Sequence, residues 1–424
     1  MFKSLRNAWS IPDLRKKIIF TLLILLLYRV GNVIPVPFVD TAAMAEYFNA
    51  SLSQTVFGLY NAMTGSAFSQ ASVLALGIQP YINASIIIQL LTVAIPALER
   101  MAKEEGEEGK KKIERITRYS TVGLGLLLGF AYYTMISNSD YNVLTNTGVL
   151  QAIVIILTFT AGSSAVMWLG EQINAHGIGN GISVILFANI VAGFPSMIGT
   201  LTSGAFEWWV GLIIAVVVML LIIFIVFIND AERRIPIQYA KRVVGRKIYG
   251  GQSTNLPIKV SMSGVLPVIF AQSIASVPAT LYTFFGWNTE TWVYQNMFAS
   301  TGWIYLVVYG LLIFFFSWFY STIQYDPVEI ANNLKKNGGF IPGFRPGKPT
   351  ADFIKKVINK ILIFGAVYLA IVAMLPMIGN VILPNLQYLA IGGTSIIIVV
   401  GVALETVKAL EAQMLMRHYK GFLD

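Results

Sequence analysis

Long apolar stretches separated by polar connections repeat along the whole chain. Ten of them hold about 20 mostly apolar residues, the length that crosses a bilayer as an α-helix. They cover 18–37, 73–96, 117–137, 149–170, 180–200, 208–228, 260–285, 302–323, 358–377 and 386–407. Several contain Pro or Gly, which spanning helices tolerate where neighbours satisfy the freed backbone groups. The first stretch follows Lys3, Arg6, Arg15, Lys16 and Lys17 and so has the outline of a signal peptide. No small-residue cleavage site comes after it; Tyr28, Arg29 and a Pro35/Pro37 turn do, so it reads as a retained first span. The pattern predicts an all-α polytopic membrane protein.

Charge tests this map, because cytoplasmic loops are enriched in Lys and Arg. Of the 30 Lys and Arg, five come before the first span, seven lie from Arg100 to Arg118, seven from Arg233 to Lys259, seven from Lys335 to Lys360 and three after the tenth span; only Arg29 lies well inside a span. The 1–2, 3–4, 5–6, 7–8 and 9–10 connections have none. The short 4–5 turn also lacks them, and the pattern does not need it. Both termini are therefore expected in the cytoplasm, with nearly all of the net charge of +9 on that side.

Composition narrows the class further. Charged residues are 12% and hydrophobic ones 56%, with a mean hydropathy of +0.68, whereas soluble domains carry about 25% charged residues. A cytosolic enzyme, a disordered tail and a secreted disulfide scaffold are excluded. Cys is absent and the His residues are His176 and His418, so thiol catalysis, Fe–S clusters, zinc fingers and redox switching have no residues to use.

Five spans precede and five follow a cut at 201–207. The long 1–2 connection lies outside and the long 6–7 connection inside, as two inverted halves would give. The halves are expected at 1–200 and 201–424, with cytoplasmic loops at about 229–259 and 324–357 in the second. Every carboxylate falls in a loop or near a span end, which argues against an ion-coupled transporter. Arg29 reads as an interface anchor or packing partner that snorkels outward. There is no G-x-x-x-x-G-K-[ST] for ATP, and no intramembrane His to activate a Ser.

Four features stand out. Residues 57–68 of the outer connection are apolar, uncharged and too short to span. They read equally as a re-entrant segment enclosed by protein or as a loop on the surface. Pro80 in the second span and Pro267 and Pro278 in the seventh read as kinks. The 6–7 and 8–9 loops carry basic residues suited to an acidic protein face, RNA or anionic lipid. Within the second, Arg345 is framed by Pro342, Gly343, Pro346 and Gly347, a turn-forming run. Gly177, Gly179 and Gly181 around Asn180 read as a tight turn with close helix packing, since no strand precedes them for a dinucleotide site.

Several of these stretches carry a resemblance. Arg29-Val-Gly-Asn-Val-Ile-Pro-Val-Pro37 and Gly77-Ile-Gln-Pro-Tyr-Ile-Asn-Ala-Ser-Ile-Ile-Ile-Gln-Leu-Leu91 resemble the SecY/Sec61α family of translocon subunits in its bacterial form. So do Gly177-Ile-Gly-Asn-Gly-Ile-Ser183, Glu232-Arg-Arg-Ile-Pro-Ile-Gln-Tyr-Ala-Lys241, Asp326-Pro-Val-Glu-Ile-Ala-Asn-Asn-Leu-Lys335, Pro342-Gly-Phe-Arg-Pro-Gly347 and Gly392-Gly-Thr-Ser395. The motifs run from the first span to the tenth.

The resemblance implies ten helices as two inverted five-helix halves around a central pore. It implies a protein-conducting channel in the bacterial plasma membrane that passes unfolded polypeptide and releases apolar segments sideways into lipid. The pore ring would be Ile82, Ile86, Leu186, Ile190, Ile269 and Ile398; Leu186 stands where many relatives have Ile. Ile82/Ile86 and Leu186/Ile190 are i,i+4 pairs, so each pair shares a helix face, and an apolar collar bars ions by dewetting. The plug, at about 57–70, would comprise Phe57, Gly58, Leu59, Tyr60, Asn61, Ala62, Met63, Thr64, Gly65, Ser66, Ala67 and Phe68. The second, third, seventh and eighth spans would line the lateral gate. Arg233, Arg234, Lys241, Arg242 and Arg345 would dock the SecA motor ATPase or the ribosome with its nascent chain. The small membrane subunits SecE and SecG, signal peptides, secretory preproteins and membrane lipid complete the implied partners. No cofactor or enzymatic activity is expected. The alternative is a small-solute secondary transporter, and a polytopic membrane enzyme ranks below both.

Overall fold

The computed structural model describes residues 6, 8–53, 56–195, 198–199, 208–239, 242–244, 247–249, 253–261, 264–284, 287, 291–299, 302–382 and 393–420. In the first half the helices are α1 (Pro12–Gly31), α2 (Thr41–Tyr47), α3 (Val56–Thr64), α4 (Gln79–Ala94), α5 (Pro96–Lys103), α6 (Gly106–Ser137), α7 (Val149–His176) and α8 (Gly181–Ala192). The second half opens with α9 (Trp208–Asp230), followed by strands β1 (Glu232–Tyr239), β2 (Arg242–Val244), β3 (Lys247–Tyr249) and β4 (Ser253–Lys259). It continues through α10 (Leu266–Phe284), α11 (Trp303–Gln324), α12 (Pro327–Lys336), β5 (Gly339–Phe340), α13 (Lys348–Ile382) and α14 (Gly393–Lys420).

Each of the ten expected spans contains a helix: α1, α4, α6, α7 and α8, then α9, α10, α11, α13 and α14. They are not equally long. Among the described residues, α6, α7, α9, α13 and the segment containing α11 are each long and apolar enough to cross a membrane. Helices α8 and α10 are shorter, and α4 meets α5 at a 106° bend. The second span was expected from residue 73, but residues 65–78 form turns and α4 starts at Gln79. Pro80 sits in the first turn, where its missing N–H costs nothing, so it begins this helix and does not kink it. Pro278 does lie inside α10. The cut between the halves lies outside the described residues.

Burial sorts the helices by solvent. Helix α9 is strongly apolar, yet little of it is buried inside the protein. Leu212, Val216, Met219, Leu220, Ile223 and Phe227 are exposed along it. An apolar face that long would drive association in water; it suits acyl chains. Lipid gives apolar side chains no reason to prefer protein, so helix pairing rests on close packing of small residues. Gly181 is the clearest case: a Cβ there would run into the Gly170 carbonyl of α7. Asn180 caps α8 by accepting from Ile182 N at 3.1 Å and Ser183 N at 3.4 Å, and Gly179 has φ +76°. The Gly-rich run is thus a tight turn between packed helices.

Contacts among the described residues join the halves. Helices α8 and α1 pack or bond to α14, and α4, α6 and α3 pack against α10. The main core joins side chains from both halves, from Ile24 on α1 to Val402 on α14.

The all-α expectation holds for the spans, while the basic loops add β-structure. β1 pairs antiparallel with β4 from Glu232↔Lys259 to Gln238↔Ser253. It also pairs with β5 of the next basic loop, through Gln238↔Phe340 and Tyr239↔Gly339. Ile235 and Ile237 alternate inward and pack with Ile258, Leu334, Ile354 and Ile358. That period of two in Ile-Pro-Ile-Gln-Tyr is a strand signal the hydropathy map passes over.

Candidate functional site

Ile82, Ile86, Leu186, Ile190, Ile269 and Ile398 come from four helices, yet all are buried within one cluster. Their exposures are 5, 3, 1, 5, 4 and 0%, so none faces the lipid side. Their placement follows from local structure. The Asn180 cap, with Asn174 Oδ1 accepting from Gly181 N at 2.7 Å, fixes where α8 begins. Leu186 and Ile190 then fall on one face in its second and third turns. Leu186, Ile269 and Ile398 line a cavity of about 240 Å³, together with Lys259, Tyr325 and Glu405.

Residues 57–68 are enclosed by protein, which decides between the two readings. Helix α3 packs against α8 and α10. Phe57, Met63, Thr64, Ala67 and Phe68 are buried; Gly58, Tyr60, Asn61, Ala62 and Gly65 are partly so, and Ser66 is exposed. Of Leu59 only the backbone is described. The Phe57 and Phe68 rings stack at 5.5 Å, and Tyr60 Oη donates to Leu76 O at 3.0 Å. Arg29 does not snorkel outward. It turns inward and donates to Gly65 O at 3.2 Å and Ala188 O at 3.4 Å, because buried carbonyls offer a cation partners that lipid lacks.

Sequence reasoning missed the polar residues around this segment. Asn189 donates to Met63 O at 2.8 Å and Tyr28 Oη at 2.9 Å. Asn32 donates to Thr64 O at 3.2 Å. Gln272 Nε2 lies 3.5 Å from Met63 Sδ. The available signal was Asn189 itself, a carboxamide in the mostly apolar α8, which must find a partner when buried. These donors are taken up by the chain's own segment, not by an open solute site.

A cleft of about 520 Å³ opens beside it, lined by α4, α6 and α10 together with Phe57, Tyr60 and Phe68. Its walls are mostly apolar: Ile86 and Leu90 face Leu127, Phe130, Val277 and Leu281. The eighth-span helix, α11, was expected at this gate; it contributes no described residue to the cleft and backs α10.

Of the expected docking residues, Arg233, Arg234 and Arg345 are exposed. Arg234 Nε pairs with Glu232 Oε1 at 2.6 Å. The Arg345 turn is held by Thr350 Oγ1 donating to Arg345 O at 2.8 Å, by buried Ile341, and by Phe344 against Phe353 at 4.2 Å. Lys241 lies outside the described residues, as does the side chain of Arg242. Because β5 pairs with β1, the two basic loops form one structural unit.

Ten apolar helices around an enclosed re-entrant segment and a buried aliphatic cluster define a polytopic membrane protein of the channel-forming kind. The SecY family profile matches residues 72–407. The chain is 44% identical to the protein translocase subunit SecY of Streptomyces galbus, over 100% of both chains. It is 42% identical to that of Thermotoga maritima, over 100% of this chain and 98% of the other. In fold it is similar to a solved protein-conducting channel, with TM-score 0.67, 18% identity, and 94% and 92% of the two chains covered. It is also similar to Sec61 in a canine ribosome–channel complex, with TM-score 0.63, 17% identity, and 94% and 92% covered. The chain belongs to the SecY family of protein translocase subunits.

Proposed function

We propose that the chain is a passive channel for unfolded polypeptide, with Ile82, Ile86, Leu186, Ile190, Ile269 and Ile398 as its pore ring and residues 57–68 as its plug. The observation that carries this is that six aliphatic side chains from four helices are all buried in the core that joins the two halves, with Leu186, Ile269 and Ile398 on the wall of one cavity. A collar without polar ligands lets extended chain slip through while barring hydrated ions. A segment of about 20 apolar residues prefers lipid and leaves sideways. The cleft between α4, α6 and α10 is its route, with α11 as support for α10.

The channel is built from two halves, 1–200 and 201–424. Energy comes from a partner, since the chain has no nucleotide motif and acts without catalysis of its own. The two basic loops, with Arg233, Arg234, Lys241, Arg242 and Arg345, are the docking face. It serves the SecA motor or the ribosome with its nascent chain, and the ribosome is the partner of the canine Sec61 relative. SecE and SecG flank the channel, signal peptides and secretory preproteins enter it, and membrane lipid surrounds it. The setting is the bacterial plasma membrane, with both termini cytoplasmic.

Reconstitution tests the reading. Purified chain with its small subunits in proteoliposomes, supplied with motor and ATP, should protect a signal-bearing preprotein from external protease. Saturable uptake of a small solute, with no import of preprotein, would overturn it in favour of a transporter.

A further inference from the structure

The plug helix α3 ends in a way its own sequence does not complete. The last four carbonyls of an α-helix have no intrahelical partner. Here Asn61 O accepts from Ser66 N at 2.9 Å and Ala62 O from Gly65 N at 3.3 Å. The next three carbonyls are met by three different side chains of the wall. Met63 O accepts from Asn189, Thr64 O from Asn32 and Gly65 O from Arg29, at 2.8, 3.2 and 3.2 Å. Asn189 uses both amide hydrogens, the second on Tyr28 Oη at 2.9 Å. The cation also stands at the helix end where the backbone dipole is negative.

Gly65 makes the approach possible. It has φ +67°, and a Cβ there would lie 2.9 Å from both Arg29 Nη1 and Asn189 Oδ1. All the donors belong to α1, its C-cap residue or α8, all in the first half. The second half reaches this end of the plug through Gln272 against Met63 Sδ.

We propose that Asn189, Asn32 and Arg29 are positioning residues that cap the plug helix from the channel wall and latch it to the first half. Seating the plug completes its helix, and leaving the seat exposes three carbonyls at once. The latch rests on the plug reading above and deepens it by naming what holds the plug closed. Asn189 is the central residue, since it spends one amide hydrogen on the plug and the other on Tyr28 of α1.

The test is resting ion conductance of the full chain with its small subunits in planar bilayers. A neutral buried hydrogen bond is worth roughly a factor of five in an equilibrium. Asn189→Leu, which keeps the volume and loses both bonds, should raise resting conductance about tenfold or more. Asn32→Ala should raise it about fivefold, and it serves if Asn189→Leu fails to fold. The chain has no native cysteine, so Met63→Cys with Gln272→Cys, whose parent side chains touch, can be bridged by a short bis-maleimide. Bridging should restore the seal in either leaky variant. Wild-type conductance in the folded variants, or a leak that bridging leaves unchanged, overturns the latch. Preprotein import by the unaltered channel is scored separately, so failure of the latch and failure of the channel reading give different results.

Discussion

Tyr132 on α6 donates its hydroxyl to the Phe68 carbonyl at 2.8 Å, and the two rings meet edge to face at 4.8 Å. Both rings line the cleft between α4, α6 and α10, so a single contact joins its wall to the segment that follows α3. Tyr132→Phe keeps the ring packing and removes one buried hydrogen bond, worth about 1 kcal/mol. The expected outcome is a lower unfolding midpoint in detergent with a modest rise in resting ion flux. Wild-type values in both measurements would show that the hydroxyl does not hold the segment.

The buried aliphatic cluster leads to a second expectation. Ile398→Asn or Ile86→Asn places a carboxamide among side chains that are 0 to 5% exposed. The amide recruits water, and a wetted constriction conducts. Solute flux from loaded proteoliposomes should rise severalfold without any preprotein present. Unchanged flux and conductance would remove these residues from the ion barrier.

Arg345 sits exposed on a turn whose backbone is fixed by Thr350 and Ile341. Arg345→Glu reverses the charge while leaving the turn intact. Motor- or ribosome-driven transport should fall to background, with expression and detergent stability as in the wild type. Normal transport would take the docking role away from this residue.

Ile237 supplies a different route to the same defect. It is 3% exposed and packs in the core beneath the basic sheet. Ile237→Asp buries a carboxylate there, and a buried unpaired charge costs several kcal/mol. β1 pairs with both β4 and β5, so both basic loops should become protease-sensitive together and transport should fall although Arg345 is untouched. Cleavage in only one loop would show that they are independent.

The spans were legible because hydropathy is a local property. A bilayer penalises unsatisfied backbone so strongly that about 20 apolar residues mark a helix with little regard to neighbours. The i,i+4 pairs Ile82/Ile86 and Leu186/Ile190 could be assigned to shared faces for the same reason. Tertiary structure alone decided which side chains meet. Asn189 finds Met63 across 126 residues and Arg29 finds Gly65 across 36. Gln238 pairs with Phe340 from the other basic loop, and Arg29 faces inward because carbonyls await it there. Such pairings depend on how packed helices bring distant polar groups within about 3 Å, a distance that no window along the chain records.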